Sequence, residues 1–287
     1  MNKINSALHE MEHVSQMAEQ NQWMNRIHPL VKFLLTLMYM IMVVSFDKYH
    51  LAGICSMAVY PLMIFLLGDI SFGEALHRLR IVLPVVCIVG IFNPFFDREI
   101  VTYLGVPAFL GELLHLTPKD AGYVIGISGG VLSMLSLMVK GILTVLASYL
   151  LIVTTTIDKI CYAMRMLHIP RAIVTQIMLI YRYVTVLLRE TGRVIQAYEL
   201  RSPGQKGIRI DAWGSLVGML LLRSMDRADD VYASMCLRGF HGEFPAGAKI
   251  RMRGSDLVFL AVWAALFVLF RIFPVFQIVG QIFVSWG

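Results

Sequence analysis

Long apolar runs dominate this chain and restrict what it can fold into. A helix of roughly 20 apolar residues crosses the hydrocarbon core of a bilayer and satisfies its own backbone hydrogen bonds, which water cannot do there. Such runs, or runs close to that length, cover residues 30–46, 51–67, 81–96, 123–156 and 256–273. Only 15% of the residues are charged, against about a quarter in soluble domains. We therefore predict an all-α integral membrane protein with about five transmembrane helices.

Parts of this membrane region have an irregular pattern. The third run contains Pro84 and an Asn93-Pro94 pair, which predicts a kinked helix packed against protein. Residues 97–122 are mixed in character, and we predict a loop or a re-entrant segment there. The fourth run is longer than one span and contains Lys140. One long tilted helix, or a short helix followed by a full one, would both fit that run.

Basic residues are dense across residues 157–254, where no uncharged run reaches membrane length. Lys and Arg are enriched in cytoplasmic loops, so this region should be cytoplasmic. Counting back through four crossings places the N-terminus inside as well. The net charge of +6 follows from this bias, and no nucleic-acid partner is predicted. The predicted order is a cytoplasmic segment 1–29, transmembrane helices 1–4 with loops over 30–156, a cytoplasmic region 157–254, and a final transmembrane helix and tail over 255–287.

Two long cytoplasmic helices are predicted within the basic region, at about 171–202 and 212–240. Pro170 lies where a helix start tolerates proline, and Gly239 suits the left-handed position that closes a helix. At 1.5 Å per residue the first helix would be about 45 Å long. Each helix ends in an arginine followed by a small residue, in the triplets Leu200-Arg201-Ser202 and Leu237-Arg238-Gly239.

Charged residues also recur at helical spacing along one face of each long helix. They are Arg182, Arg189 and Arg193 on the first helix and Arg223, Arg227 and Asp230 on the second. One arginine near a helix C-terminus would mean little, because the helix dipole favours it anyway. The matched position of two such arginines in a basic region indicates a functional role.

The pattern resembles the transmembrane (T) components of energy-coupling factor transporters, and among them the cobalt-type CbiQ family. Three stretches carry the resemblance: NRIHPLVKFLLTLMYMIMVVS at 25–45, YELRS ending at Ser202, and RADDVYASMCLRGF ending at Phe240. The family often has alanine before each helix-end arginine, whereas this chain has Leu200 and Leu237 there. This difference leaves the arginines themselves unchanged, but the details of docking could differ from those of the family.

The resemblance implies a non-catalytic coupling subunit in the cell membrane of a prokaryote. The two triplets would dock on a pair of cytoplasmic ABC-type ATPases, which would bind ATP and Mg, and this chain would bind no cofactor. A small membrane protein would bind the substrate, and it would be CbiM-like if the substrate is cobalt. Nickel and vitamins are the alternative substrates. The sequence contains no Gly-x-x-x-x-Gly-Lys-Ser/Thr phosphate loop, in agreement with ATP hydrolysis on another subunit.

Two functions of other classes compete with this prediction. The stretch His9-Glu10-Met11-Glu12-His13 has the spacing of a zinc metalloprotease motif, but it lies in a polar segment without an apolar shell. A stand-alone secondary transporter would use ionisable residues inside spans, for which Lys32, Lys140 and Arg271 are candidates. No inverted pair of broken helices supports that second alternative.

Overall fold

A computed structural model describes residues 16–19, 23–48, 51–68, 72–92, 100–106, 123–202, 207–242 and 250–273. The described part is mostly helical, with one antiparallel pair of strands. In chain order the elements are α1 (Trp23–Arg26), α2 (Pro29–Val44), α3 (Leu51–Ser56), α4 (Val59–Gly68), α5 (Phe72–Gly90), β1 (Ile100–Val106), β2 (Tyr123–Ser128), α6 (Gly129–Thr154), α7 (Ile157–Met166), α8 (Arg171–Arg201), α9 (Ile210–Leu237) and α10 (Gly254–Ile272).

Three helices of the described part, α6, α8 and α10, are long and apolar enough to cross a membrane. Two shorter apolar helical segments match the first two predicted spans, Pro29–Val44 and Gly53–Gly68, and the second of them includes the turn between α3 and α4. These helices confirm the predicted helical membrane protein. By length and hydropathy α8 qualifies as well, although we predicted a cytoplasmic location for it because Arg182 interrupts its apolar stretch. The described first part of the third predicted span, residues 81–90, forms the end of α5, which begins earlier, at Phe72, and carries charge in its first half.

The structure differs from the prediction at residues 100–106 and 123–128, whereas residues 97–99 and 107–122 of the predicted loop lie outside the described residues. We predicted a loop or re-entrant segment over 97–122 and a helix from residue 123 onward. Instead β1 and β2 pair, with Val106 opposite Tyr123, and helix α6 begins only at Gly129. Both strands are rich in β-branched residues, which favour extended backbone. Those residues are Ile100, Val101, Thr102 and Val106 in β1 and Val124, Ile125 and Ile127 in β2.

The second predicted span is divided into α3 and α4 by a turn at Met57 and Ala58. Pro61 has no backbone N–H to donate to the carbonyl of Met57, four residues before it. That carbonyl instead accepts the buried hydroxyl of Tyr39 at 3.0 Å and the N–H of Tyr60 at 3.3 Å. A hydrogen bond from α2 therefore stabilises the turn that the proline creates.

The chain forms two compact units. The first combines Met1–Phe33 with Ile152–Met252, and the second combines Leu34–Leu151 with Arg253–Gly287. An aromatic cluster lies in the core of the second unit, where the ring of Phe267 lies 5.3 Å from Tyr39 and 5.2 Å from Tyr60. Such ring contacts add to the stabilisation that burial of these large side chains provides.

Helices α5 and α6, also in the second unit, approach each other closely at glycines. A Cβ atom added at Gly141 would lie 3.1 Å from Cγ2 of Val86, and one added at Gly90 would lie 3.1 Å from Cγ of Met134. Between these two points Sγ of Cys87 lies 4.0 Å from Sδ of Met138. The helix pair therefore depends on the absence of a side chain at two positions.

Candidate functional site

Helices α8 and α9 belong to the first unit and are largely exposed. In α8 only Val174 and Val194 are buried, and α9 has no buried residue. Arg223 on α9 pairs with Glu190 on α8, and Arg193 lies 3.5 Å from the same carboxylate. Glu190 thus joins the two helices by an ion pair, while most of their surface is left for other contacts.

The first helix end lies where the sequence predicted it. Arg201 is the last residue of α8, and Ser202 follows with its N–H bonded to the carbonyl of Glu199 at 3.2 Å. Leu200 is 75% exposed, and Arg201 is exposed as well. The arginine and its preceding leucine therefore project together from the end of a helix of 31 residues.

The second helix end is a Schellman turn. Helix α9 begins at Ile210 and ends at Leu237. The predicted helix, 212–240, began two residues later and ended three residues later. Gly239 has a φ of 77°, and its N–H donates to the carbonyl of Cys236 at 3.0 Å. The N–H of Phe240 donates to the carbonyl of Met235 at 3.0 Å, which completes the motif. The predicted left-handed role of Gly239 is confirmed. Arg238 lies inside this closing turn, beside Leu237, which is 90% exposed.

The structure brings together some of the predicted charged residues and leaves others apart. Arg182, Arg223, Arg227, Asp230, Arg238 and Gly239 line one cleft between α7, α8 and α9. The predicted residues Arg189, Arg193, Leu200, Arg201, Ser202 and Leu237 lie outside the lining of that cleft. The second helix-end triplet therefore contributes Arg238 and Gly239 to this cleft, whereas the first triplet lies outside its lining.

Two glycines on α9 were missed by the sequence analysis. A Cβ atom added at Gly214 or at Gly218 would meet nothing within 4 Å. Large apolar side chains on the same helix are exposed nearby, Trp213 at 51% and Val217 at 54%. The sequence signal was available, because GSLVG is a small-xxx-small pattern of the kind that lets two helices approach closely in a membrane.

Two of the three basic residues considered for an ion pathway, Lys32 and Lys140, contact carbonyls at helix ends, and the third lies over an aromatic ring. In the first unit, Lys32 is 5% exposed and donates to the carbonyl of Thr154, the last residue of α6, at 2.8 Å. In the second unit, Lys140 donates to the carbonyls of Val44 and Phe46 at the end of α2. Arg271 lies 4.5 Å above the ring of Phe46. Positive charge is favourable at a helix C-terminus, so these contacts explain why cations occur in apolar surroundings.

The metalloprotease motif at His9–His13 lies outside the described residues. Within the part of the chain that the structure describes, no group of three His, Cys, Asp or Glu side chains could hold a metal ion.

Two cysteines of the first unit should differ sharply in reactivity. Burial raises the pKa of the Cys161 thiol, and the nearby Asp158 carboxylate raises it further. Less thiolate, the reactive form, is therefore present at neutral pH. Cys236 is exposed one residue before the Leu237-Arg238-Gly239 triplet.

We expect a charged maleimide at pH 7 to modify Cys236 and to leave Cys161 unmodified. Peptide mass mapping of the folded protein, compared with a denatured control, measures this difference. Equal labelling of both thiols would contradict this packing of α7.

Comparisons with known proteins show the family to which this chain belongs. Residues 20–247 match the family model CbiQ, cobalt transport protein. The chain is 25% identical over 256 residues to the energy-coupling factor transporter transmembrane protein EcfT of Thermosediminibacter oceani, covering 85% of this chain and 91% of that protein. It is also 27% identical over 124 residues to an uncharacterized protein of Methanocaldococcus jannaschii, where the match spans 42% of that protein's length. The chain therefore belongs to the CbiQ family, the cobalt-type transmembrane components of energy-coupling factor transporters.

Proposed function

We propose that this chain couples ATP hydrolysis on separate ABC-type ATPase subunits to the movement of a small substrate-binding membrane protein. The observation that carries the proposal is the pair of exposed helix ends, where Arg201 and Arg238 each stand beside an exposed leucine. The family is a transporter membrane component without catalysis of its own. ATP and Mg are then bound by the ATPases, and this chain binds no cofactor.

Each helix end combines a guanidinium, an apolar side chain and a small residue, which together would fit a groove on an ATPase. A guanidinium presents a planar fork of donors that can bind a carboxylate or several carbonyls at once. Leu200 and Leu237 add apolar surface beside that charge, since they are 75% and 90% exposed. The small residues Ser202 and Gly239 follow the arginines and limit the width of the helix ends. Two similar helix ends would suit a pair of similar ATPase subunits, with one arginine bound in the groove of each subunit.

The two helices can transmit displacement because they are long and joined. Helix α8 has 31 residues and α9 has 28, which correspond to lengths of roughly 45 Å and 40 Å. Glu190 links them through Arg223. When the ATPase pair closes on ATP, the helix ends move with their grooves, and whatever packs along the helices is displaced with them.

The surface of α9 fits a membrane-protein partner. Gly214 and Gly218 leave open space at the helix surface, and Trp213, Val217 and Leu221 expose apolar side chains along it. Small residues allow a second helix to approach the backbone closely, and van der Waals contact then supplies the attraction. We assign this face to the substrate-binding subunit, because its apolar character suits a helix of a membrane protein better than a soluble ATPase.

Orientation and substrate complete the proposal. The basic region carrying α8 and α9 faces the cytoplasm, and the N-terminus lies on the same side, because Lys and Arg concentrate there. The proposed substrate is cobalt, through the description of the CbiQ family, and the partner is then a CbiM-like protein. A nickel or vitamin transporter of the same type is the alternative, since the substrate would be bound by the partner.

Co-purification tests the proposed function directly. The tagged chain, expressed in its native host and solubilised in mild detergent, should bring with it an ABC-type ATPase and a small membrane protein, both identified by mass spectrometry. The second protein then identifies the substrate class, which radioactive cobalt uptake in reconstituted vesicles checks. Recovery of this chain alone, together with ATP-independent uptake by it, would support a secondary transporter and contradict the proposal.

The same purification tests the face of α9. We expect Gly218→Leu to reduce recovery of the membrane partner about tenfold or more while the ATPase is still recovered, because the bulky side chain blocks close approach of the partner helix. Ser224→Leu, elsewhere along α9, is the matched control for added apolar bulk. Unchanged recovery of the membrane partner with Gly218→Leu would exclude this face as its contact.

A further inference from the structure

An open cleft with a volume of about 1270 Å³ lies between α7, α8 and α9 in the first unit. Five arginines and two aspartates line it, which gives an excess of three positive charges. The charged lining residues are Arg165, Arg182, Arg223, Arg227, Arg238, Asp226 and Asp230. The proposed contact with the ATPases uses only Arg238 of this set, and the link between α8 and α9 uses only Arg223, so the other charged residues have no assigned role.

Two of these arginines have unused hydrogen-bonding capacity. Arg223 pairs with Glu190. Arg182 and Arg227, by contrast, form no ion pair with any residue in the described part of the chain. A guanidinium binds phosphate through parallel N–H to oxygen bonds, which are stronger than hydrogen bonds between neutral groups. The cleft is therefore lined by two guanidinium groups without ion-pair partners in the described part of the chain, one from α8 and one from α9.

Apart from Ser234, His241 and Gly239, the rest of the lining is mostly apolar. Leu179, Val231, Met235 and Phe240 line it, together with the ring of Tyr183. Ile180 on α8 and Met225 on α9 are 62% and 58% exposed on the same two helices. A soluble polyanion would gain nothing from such a wall. A ligand that carries both phosphate and hydrocarbon would bury apolar area against it while its charge meets the arginines.

We propose that this cleft binds the head group of an anionic phospholipid. Arg182 and Arg227 hold the phosphate oxygens, and the upper parts of the acyl chains lie along the apolar wall. Basic pockets beside membrane helices on the cytoplasmic side suit such lipids, and each Lys or Arg near the surface contributes about 1 kcal/mol. A lipid with two phosphates, such as cardiolipin, matches the surplus charge best. Asp226 and Asp230 limit its affinity by repulsion.

Native mass spectrometry of the purified full-length chain tests this site. The protein is delipidated in a neutral detergent and titrated with cardiolipin or with phosphatidylcholine. We expect a clear preference for cardiolipin, and an approximately 30-fold loss of cardiolipin affinity in R182Q/R227Q. The matched control R189Q/R193Q removes two arginines of α8 that do not line the cleft, and it should bind cardiolipin as the wild type does. The variant D226N/D230N should bind cardiolipin more tightly than the wild type.

Several results would overturn the proposal. The first is equal cardiolipin affinity in R182Q/R227Q and the wild type. The second is an equal loss of cardiolipin affinity in R182Q/R227Q and in R189Q/R193Q, because that result would indicate general charge attraction. Binding of inorganic pyrophosphate with the same arginine dependence, without a preference for cardiolipin, would assign the cleft to a soluble phosphate compound instead. Loss of ATPase recovery in R182Q/R227Q without any lipid preference would assign it to a protein contact. If R182Q/R227Q does not fold, D226N/D230N decides, and absence of a gain in affinity rejects the lipid site.

Discussion

The double charge reversal Arg201→Glu/Arg238→Glu is expected to abolish both ATPase association and ATP-dependent uptake. Each substitution removes the guanidinium donors and places a carboxylate where the groove holds acceptors. Loss of one partner of a desolvated charged contact costs about 2–5 kcal/mol, so two such losses should weaken association at least about 1000-fold. The measurement compares ATPase recovered with the tagged chain, and uptake in vesicles, between the variant and the wild type.

Controls for this variant follow from the exposure of both arginines. Because both side chains are exposed, their reversal should leave the fold of the free chain intact, which a circular dichroism spectrum checks. Arg251→Glu makes the same change in charge at another exposed arginine, outside α8 and α9, and each single variant is compared with it. Arg→Lys at either helix end should give a smaller loss, because the ammonium lacks the planar fork. Normal complex formation and uptake in the double variant would refute the coupling role of the helix ends.

Gly141→Leu is expected to destabilise the second unit by forcing apart two closely packed helices. Even the first added carbon would lie 3.1 Å from Val86, and the remainder of leucine would force α5 and α6 apart. Overpacking of this kind costs about 1–3 kcal/mol, more than the roughly 1 kcal/mol that removing a helical glycine returns. The midpoint of thermal unfolding in detergent should fall by several degrees, measured by aggregation-coupled size-exclusion chromatography.

Gly218→Leu is the matched control, because it makes the same replacement at a helical glycine with open space around it. Its unfolding midpoint should stay the same or rise, because in the isolated chain this replacement changes only the helix propensity of the residue. Equal midpoints for Gly141→Leu and the wild type would show that α5 and α6 do not pack through this glycine.

Local patterns were sufficient to predict the helices that have clear sequence signals. The bounds of α2 and α10 lie close to the predicted runs 30–46 and 256–273, because apolar composition alone marks a span. Pro170 predicted the start of α8 for an equally local reason. The pairing of β1 with β2 could not be predicted in the same way, because each strand is stabilised by a partner distant in sequence. The turn at Met57 likewise depends on Tyr39, which belongs to another helix.

The candidate site shows the same division. The helix-end triplets could be located from Arg201, Arg238 and Gly239, because closing a helix is a property of neighbouring residues. Arg182 and Arg227 were placed on the correct helices, yet nothing in the sequence showed that they line one cleft. Their proximity results from the packing of α8 against α9, in which Glu190 and Arg223 form the visible link. Tertiary packing of this kind has no local periodicity by which to recognise it.

The lack of buried residues on α9 has a consequence for the amount of this subunit in the cell. A helix of 28 residues without a buried side chain gains little free energy from its own chain, so most of its stability must come from assembly. A copy that has not met its partners therefore opens at α9 at low energetic cost, and segments that open readily are the ones that proteases cleave first. Selective degradation of unassembled copies would then match the amount of this subunit to the amounts of the others without any dedicated regulator.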